Sequence, residues 1–422
     1  MADQTITGID IGTSKIAAIV AKISENEEEP RVMGFDSVNS KGVRKGQIVD
    51  INQVTSAIEE CIEKVERMAA TRVERAFVSV GGLHIASLNS HGVVAVSQPE
   101  VEIGDGDVAR ATEAAKAISI SSAREVIEVV PREYVVDGQS GIKNALGMTG
   151  VRLEINTHII TASLTNLRNI ERSLSDLGIE KEAYVFSGLA SSLATLSETE
   201  KELGAALVDI GGGKTDVCIY VDGALSYSSS IAIGARHITN DIAVGLRISL
   251  ASAEQIKLFL MEKLSRNKKG SGADEVDVKE LNLAEGLTSI SYKTVVNGII
   301  RPRLDEIFEK VYEEIQKSGF STMIPSGLVV TGGGALTVGA VESARRITDL
   351  SARIAIPQGV VGLVDEVLYP QYATVVGIIL YGKNYLIKNE KSSLKDFRSI
   401  FRDFSFKGSF KRVADLFKSF MP

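Results

Sequence analysis

A short phrase occurs twice in the chain, as GIDIGTSKIAAIV over residues 8–20 and as LVDIGGGKTDVCI over residues 207–219. Asp10 matches Asp209, Gly12 matches Gly211 and Lys15 matches Lys214, all at one offset of 199 residues. Two such Asp-Ile-Gly turns facing each other carry the parts needed to clamp a polyphosphate from both sides. Gly12, Gly211, Gly212 and Gly213 have no Cβ, so a phosphate can approach their backbone N–H groups closely. Thr13, Ser14 and Thr215 add hydroxyl donors, and Lys15 and Lys214 could neutralise phosphate charge. Asp10 and Asp209 are the carboxylates expected to hold a hydrated Mg2+, which keeps several waters and touches few protein oxygens. One Asp-Ile-Gly turn alone reads most simply as a glycine hairpin; its repetition raises the nucleotide reading. Gly213-Lys214-Thr215 also ends like a P-loop, but the first glycine of that motif would fall at Val208, so the motif is absent.

The elements that must position these turns follow from the pattern around them. Residues 5–23 read as two strands joined by the first turn, with a third at 31–38. Helical periodicity runs over 52–69 through Val54, Ile58, Cys61, Ile62, Val65 and Met68. A buried strand follows at 76–82. That order opens an α/β domain. Residues 83–162 interrupt it with a helix over 107–118 capped by Asp105 or Asp107, short strands, and a loop DGQSGIKNALGMTG. Helix and strand resume at 165–190, and the second turn opens another α/β half near 204. A mostly helical insert spans 234–302 and holds the polar loop RNKKGSGADE. GLVVTGGGA (327–335) reads as a buried strand ending in a third glycine turn, Gly332-Gly333-Gly334-Ala335, which can lie flat against a purine base and α-phosphate. YATVVGIILYG (372–382) reads as an apolar helix with Gly377 close to a neighbour.

Composition sets bounds on the rest. At 422 residues, 44% apolar and 24% charged, two or three globular domains are expected. Two distant cysteines, Cys61 and Cys218, argue against a disulfide scaffold and suit a reducing cytoplasm. The start MADQTITG lacks the features of a signal peptide, and no apolar run is long enough to span a membrane. From Lys383 onward ten Lys/Arg meet four Asp/Glu, a local +6, while the whole chain carries −7. An acidic body with a basic tail argues against nucleic-acid binding and for a tail with its own negative partner.

The tail SFKRVADLFKSFMP places Phe410, Val413, Leu416, Phe417, Phe420 and Met421 on one helical face, with Lys411, Arg412 and Lys418 around the polar side. Such a helix fits an interfacial anchor lying in the headgroup plane of an anionic membrane. A second apolar stripe, Phe397, Ile400, Phe401 and Phe404, lies just upstream and is either part of the anchor or docked on the body. Each basic residue adds about 1 kcal/mol at an anionic surface. One monomer should therefore bind reversibly and a row of monomers much better.

The three glycine turns in this order resemble those of the actin and heat-shock chaperone ATPase superfamily. The resemblance implies an actin-like α/β fold of two ribonuclease-H-like lobes with ATP in the cleft between them. It also implies two hinge helices at SGLASSLATL (187–196) and YATVVGIILYG, a ribose-binding pair at Glu254 and Lys257, and a turn near the nucleotide at Gly234. Within the superfamily the chain is most similar to the bacterial cell-division family, through KGVRKGQIVD, REYVVDGQSGIKNALGMTGVRLE, VFSGLASS, VDIGGGKTD, VVTGGGA and the amphipathic C-terminus. An insert at 83–162 is that family's departure from actin.

The domains implied are a first lobe of 1–82, 163–203 and 346–387, the inserted subdomain 83–162, a second lobe of 204–233 and 303–345, its helical insert 234–302, a linker 388–408 and the anchor 409–422. The family resemblance further implies self-polymerisation into filaments on the inner face of the cytoplasmic membrane at the division site. It implies contact with the C-terminal peptide of the tubulin-like division protein FtsZ, with Lys293, Arg301 and Arg303 as the nearest basic candidates, and recruitment of other division proteins. Where a related filament protein has a catalytic Glu, this chain reads Phe186-Ser187-Gly188, so tight ATP binding with slow hydrolysis is expected. The alternatives are a scaffold of type IV pilus assembly with the same fold, or a small-molecule kinase of the superfamily, for which no catalytic Asp or sugar pocket is identifiable.

Overall fold

Two β-sheets organise the molecule, each grown around one of the repeated hairpins. The computed structural model describes residues 4–24, 27–97, 102–266, 274–363 and 365–387. In the first sheet Gln4–Ile11 pairs antiparallel with Lys15–Ile23, and Arg31–Asn39 extends the meander. Arg75–Val80 joins the other side in parallel, followed by Glu180–Phe186. The strands carry continuous apolar runs because the sheet is covered on both faces. On one face lies the helix Ile51–Ala69, whose Val54, Ile58, Cys61, Ile62 and Val65 are buried. Its first turn is capped by Asp50, whose carboxylate accepts the Gln53 N–H at 3.1 Å. Met68, expected on the buried face, is 48% exposed because it falls on the helix's outer edge.

The second sheet repeats the plan. Ala205–Ile210 pairs with Thr215–Val221, then Ala224–Ile231, while Leu328–Thr331 and Ala352–Ile354 add in parallel on the other side. The last of these strands corrects the sequence-based boundary. Residues 346–354 were expected in the first lobe, yet Ala352–Ile354 hydrogen-bonds to Leu328–Thr331, and the helix Ala340–Thr348 buries Ala344 and Ala340 in the second core. The chain returns to the first sheet only at Val361–Gly362, beside Arg31–Asn39.

Between Arg75–Val80 and the helix Leu164–Ser175 the chain builds a separate four-stranded antiparallel sheet in the order Ala86–Ala95, Arg152–Ser163, Arg124–Val136, Gln139–Ile142. The segment expected as a loop therefore contributes the Gln139–Ile142 strand. The helix of this insert runs Asp105–Lys116. Its N-cap is Gly104, not either aspartate. Asp107 sits in the first turn and accepts the Gly104 N–H at 3.1 Å and the Ser97 N–H at 3.1 Å. The insert also meets the second sheet: Ser87 Oγ donates to the Ser228 carbonyl at 2.7 Å, and buried His158 bridges Asn89 and Ser228.

The two expected hinge helices cross at the base of the lobes as Ser187–Thr195 and a helix over 373–387. Gly377 lies directly against the Ala190 backbone, where any Cβ would collide. The linker 388–408, the anchor 409–422 and most of the polar loop 266–275 lie outside the described residues. Among the described residues no helix is long and apolar enough to cross a membrane.

Candidate nucleotide cleft

Both Asp-Ile-Gly turns form as tight hairpin ends, closed by Gly12 N–H to the Lys15 carbonyl at 3.0 Å and by Gly211 N–H to the Lys214 carbonyl at 2.9 Å. They face each other across the space between the sheets. Gly212 abuts the Ser14 hydroxyl, and a Cβ on Gly213 would stand 2.8 Å from Thr13 Cγ2, so the second turn must be glycine to approach the first. The third glycine turn closes one end. Gly332 has φ +82, and a Cβ there would meet the Ile210 carbonyl at 2.6 Å and the Asp209 carboxylate. Together these turns line a cleft of about 500 Å³ with Ser187, Arg236, Glu254, Lys257, Gln371 and Thr374 also in its wall.

Each turn's aspartate is held from behind. Ser79 Oγ donates to Asp10 Oδ1 at 2.7 Å and accepts the Ile11 N–H at 3.0 Å. Asp209 Oδ2 accepts from Ser191 and from Thr374 Oγ1 at 3.2 Å, one hydroxyl from each hinge helix. Burial raises the Asp10 pKa above the usual carboxylate value. Burial, reinforced by Asp216, pushes Asp209 up to about 6. Two desolvated carboxylates in one cleft are the environment a hard, oxygen-seeking dication relieves, so the donor set fits Mg2+. The Ser40 hydroxyl, buried in the same wall, has no protein partner.

The two lysines differ. Lys15 lines the cleft with its ammonium 4.5 Å from the Tyr372 ring centroid. Burial draws its pKa down to about 8, partly offset by Asp10 and Asp209. Lys214 also reaches the cleft wall, but its ammonium is bonded to Asp216 and donates to Ser187 Oγ at 2.7 Å. Burial opposes its charge, yet Asp216 and Asp209 outweigh that and hold its pKa above the ordinary value. Lys214, expected to neutralise phosphate, thus lines the cleft while sharing its charge with an internal carboxylate.

Of the remaining expected residues, Glu254 and Lys257 line the cleft. They form an ion pair at 2.7 Å, and Lys257 Nζ also donates to Thr239 Oγ1 at 2.9 Å. Gly234 does not line it but caps the helix Ala235–Leu246, and a Cβ there would stand 2.5 Å from the Gly211 carbonyl. Gly213 and Ala335 support the turns from outside the wall. Thr215 is a correction: it is fully buried and donates its hydroxyl to the Ile233 carbonyl at 2.8 Å, so it offers no donor to a ligand. Sequence reasoning missed Asp216, Ser79 and Ser187. The signal for Asp216 was present, since it is the one charged residue in the strand TDVCIYV, all of which is buried.

The basic candidates on the second insert separate as well. Arg303 grips Asp241 with Nε at 2.6 Å and Nη2 at 3.1 Å, and also bonds Glu306, so its fork is committed within the chain. Lys293 and Arg301 are exposed.

Two sheet-and-helix lobes around a cleft with paired Asp-Ile-Gly turns define an actin-like fold. Solved structures of a PilM–PilN type IV pilus biogenesis complex (TM-score 0.62, 14% identity, covering 89% of this chain and 98% of that one) and of MreB5 of Spiroplasma citri bound to ADP (TM-score 0.52, 14% identity, covering 92% and 98%) share it. Family models narrow the assignment. Residues 82–161 match the SHS2 domain inserted in FtsA, and residues 206–377 match cell division protein FtsA. Cell division protein FtsA of Pseudomonas aeruginosa is 38% identical over 90% of this chain and 89% of its own length. That of Escherichia coli K12 is 33% identical over 92% of each, and that of Bacillus subtilis 35% identical over 93% and 87%. The chain belongs to the FtsA family of cell division proteins.

Proposed function

We propose that this protein binds ATP with Mg2+ in the cleft, polymerises on the inner face of the cytoplasmic membrane at the division site, and tethers FtsZ filaments there while recruiting later division proteins. The observation that supports nucleotide binding most strongly is the convergence of three glycine turns and two desolvated aspartates on one cleft. MreB5, with the same fold, has been solved with ADP and with AMPPNP. In this reading the Asp10 and Asp209 carboxylates hold the hydrated cation, Lys15 meets phosphate, Gly332–Gly334 back the base, and Glu254 and Lys257 take the ribose. The Mg2+ supplies charge neutralisation of the phosphates when bound.

Hydrolysis is slow in this reading, because no carboxylate stands at Phe186-Ser187-Gly188, where the polypeptide enters the first hinge helix. Membrane attachment rests on the apolar face and local positive charge of 409–422. For the acidic FtsZ peptide, exposed Lys293 and Arg301 remain the basic contacts, since Arg303 is spent on Asp241.

The test is co-sedimentation with anionic vesicles, with Mg-ATP and without nucleotide, for the full chain and for a version ending at Lys388. Binding by the full chain alone, strengthened by ATP, is the expected result. Phe417→Glu should abolish vesicle binding and leave ATP binding intact. If the truncated version pellets equally, the tail is not the anchor.

A further inference from the structure

Where the chain passes from the first sheet into the insert it encloses a cavity of about 10 Å³, the size of one water. Three polar side chains line it: Ser79 near the end of the strand Arg75–Val80, His84 just beyond that strand, and Asn166 in the first turn of the helix Leu164–Ser175. Val43 and Ile48, from a short hairpin in which Val43–Arg44 pairs with Gln47–Ile48, close the apolar side together with Ile170. His84 is only 8% exposed, and among the described residues its Nδ1 has no hydrogen-bond partner. Burial, aided by the charges of Arg124 and Lys214, lowers its pKa to about 4. At ordinary pH the ring is therefore neutral and carries one N–H and one bare nitrogen. Buried polar atoms are nearly always hydrogen-bonded to protein or to ordered water.

We propose that this cavity is the site of one structural water, which bonds His84 Nδ1, Asn166 and Ser79 and so fastens the root of the insert to the first Asp-Ile-Gly turn. Each partner has a place for it. Ser79 Oγ gives its single hydrogen to Asp10 and accepts the Ile11 N–H, which leaves one lone pair for a donor. The water donates there. Toward His84 Nδ1 it can donate or accept, so the site suits either tautomer of the ring. The Asn166 amide, which carries both donors and an acceptor, supplies the third bond, the usual number for a buried water. On the other side His84 is the point where the insert's strands converge. Its carbonyl accepts Arg124 Nη2 at 2.8 Å, and Arg124 Nε donates to Thr161 Oγ1 at 2.9 Å. Arg124 opens the strand Arg124–Val136 and Thr161 lies near the end of Arg152–Ser163. The main chain of His84 thus gathers the insert, while its ring, through the water, reaches the hydroxyl that holds the first turn. The water stands behind Ser79 with or without a nucleotide in the cleft.

The test is a crystal structure of the full chain at a resolution that shows ordered water, together with thermal unfolding and hydrogen exchange of variants. One density peak is expected about 2.7–3.2 Å from both His84 Nδ1 and the Asn166 amide. His84→Phe keeps most of the ring's volume and removes its nitrogens. It should lower the unfolding midpoint, because the water loses a partner, and the Ile11 amide should exchange about tenfold faster once Ser79 is less firmly held. Asn166→Leu should act in the same direction. The double variant should lose clearly less than the sum of the two, because either change alone dislodges the same water. A cavity without density overturns the proposal. So does a His84→Phe protein more stable than the original, which would mark Nδ1 as an uncompensated liability. Strictly additive losses, or unchanged exchange at Ile11, overturn it as well. If His84→Phe does not fold, as judged by circular dichroism, the density in the unmodified chain and the Ile11 exchange of Asn166→Leu decide.

Discussion

The two Asp-Ile-Gly turns begin as one phrase and end as two different devices. In both, the glycine after Asp-Ile closes on the lysine carbonyl, and in both a hydroxyl holds the aspartate from behind. The difference lies across the pleat. Asp10 pairs with Ala17, whereas Asp209 pairs with Asp216. Ala17 leaves Lys15 without an anionic neighbour on its own strand, so it stays in the cleft over Tyr372. Asp216 draws Lys214 inward and spends its charge. A repeated motif therefore fixes the backbone and the carboxylate, while the residue two positions after the lysine decides whether that lysine is paired with an internal carboxylate.

The largest expected effect breaks the ion pair. Lys214→Ala leaves Asp216 as an uncompensated buried charge opposite Asp209, which costs about 3–5 kcal/mol of stability. Lys15 acts on Asp10 and Asp209 only from a distance, without an ion pair among the described residues, and Lys15→Ala should cost less than about 1 kcal/mol. Urea denaturation of the two variants without nucleotide reads the contrast directly. Equal losses would mean that the two lysines do the same work.

The next effect is electrostatic and follows from the raised pKa of Asp209. Its folded value of about 6 lies above the ordinary 3.8, so the folded chain binds the proton more readily than the unfolded one. Asp209 therefore contributes about 3 kcal/mol to the stability of the nucleotide-free protein below pH 3.8, a contribution lost as pH rises through 6. Asp209→Asn should remove this slope, visible as converging urea midpoints of the two proteins below pH 4 and a widening gap by pH 7. A gap that does not change with pH would show that burial and Asp216 together do not raise the Asp209 pKa.

Nucleotide binding sharpens the contrast from the other side. Lys15→Ala should weaken Mg-ATP binding by about 1.5–3 kcal/mol, roughly ten- to a hundredfold, as expected for a lost hydrogen bond to a charged group. Titration with a fluorescent ATP analogue measures it.

How much of this was legible before the fold was known depends on the range of the interaction that decides each feature. The hairpins, the helix Ile51–Ala69 and the third glycine turn are set by local patterns of apolar runs, glycines and helical spacing, and the sequence shows them. The insert was legible as an interruption of the α/β order, but its Gln139–Ile142 strand was not, because its pairing with Arg124–Val136 follows a Asp137-Gly138 turn set among polar residues. The placement of Ala352–Ile354 in the second sheet rests on pairing with a strand whose own position is set by a distant hairpin. In the cleft, glycines and aspartates announce themselves, whereas the fate of Lys214 depends on which residue the register sets across from Asp209. Thr215 was misread for the same reason: on the turn's far side its hydroxyl points back to Ile233.

The smallest expected effect concerns the aromatic partner that only the first lysine possesses. Tyr372 stands at the entry to the second hinge helix, packs edge-on against Phe35 at 4.8 Å, and exchanges a hydrogen bond with Ser37 at 3.1 Å. These contacts fix the ring under the Lys15 ammonium. A cation over an aromatic face gains about 0.5–1 kcal/mol at a partly exposed site. Tyr372→Leu removes the ring and should weaken ATP-analogue binding two- to fivefold by loosening Lys15. Tyr372→Phe keeps the ring, loses only the Ser37 bond and should bind within twofold of the original. If both variants weaken binding equally, the hydroxyl and not the ring holds this side of the cleft, and the asymmetry between the turns then rests on Asp216 alone.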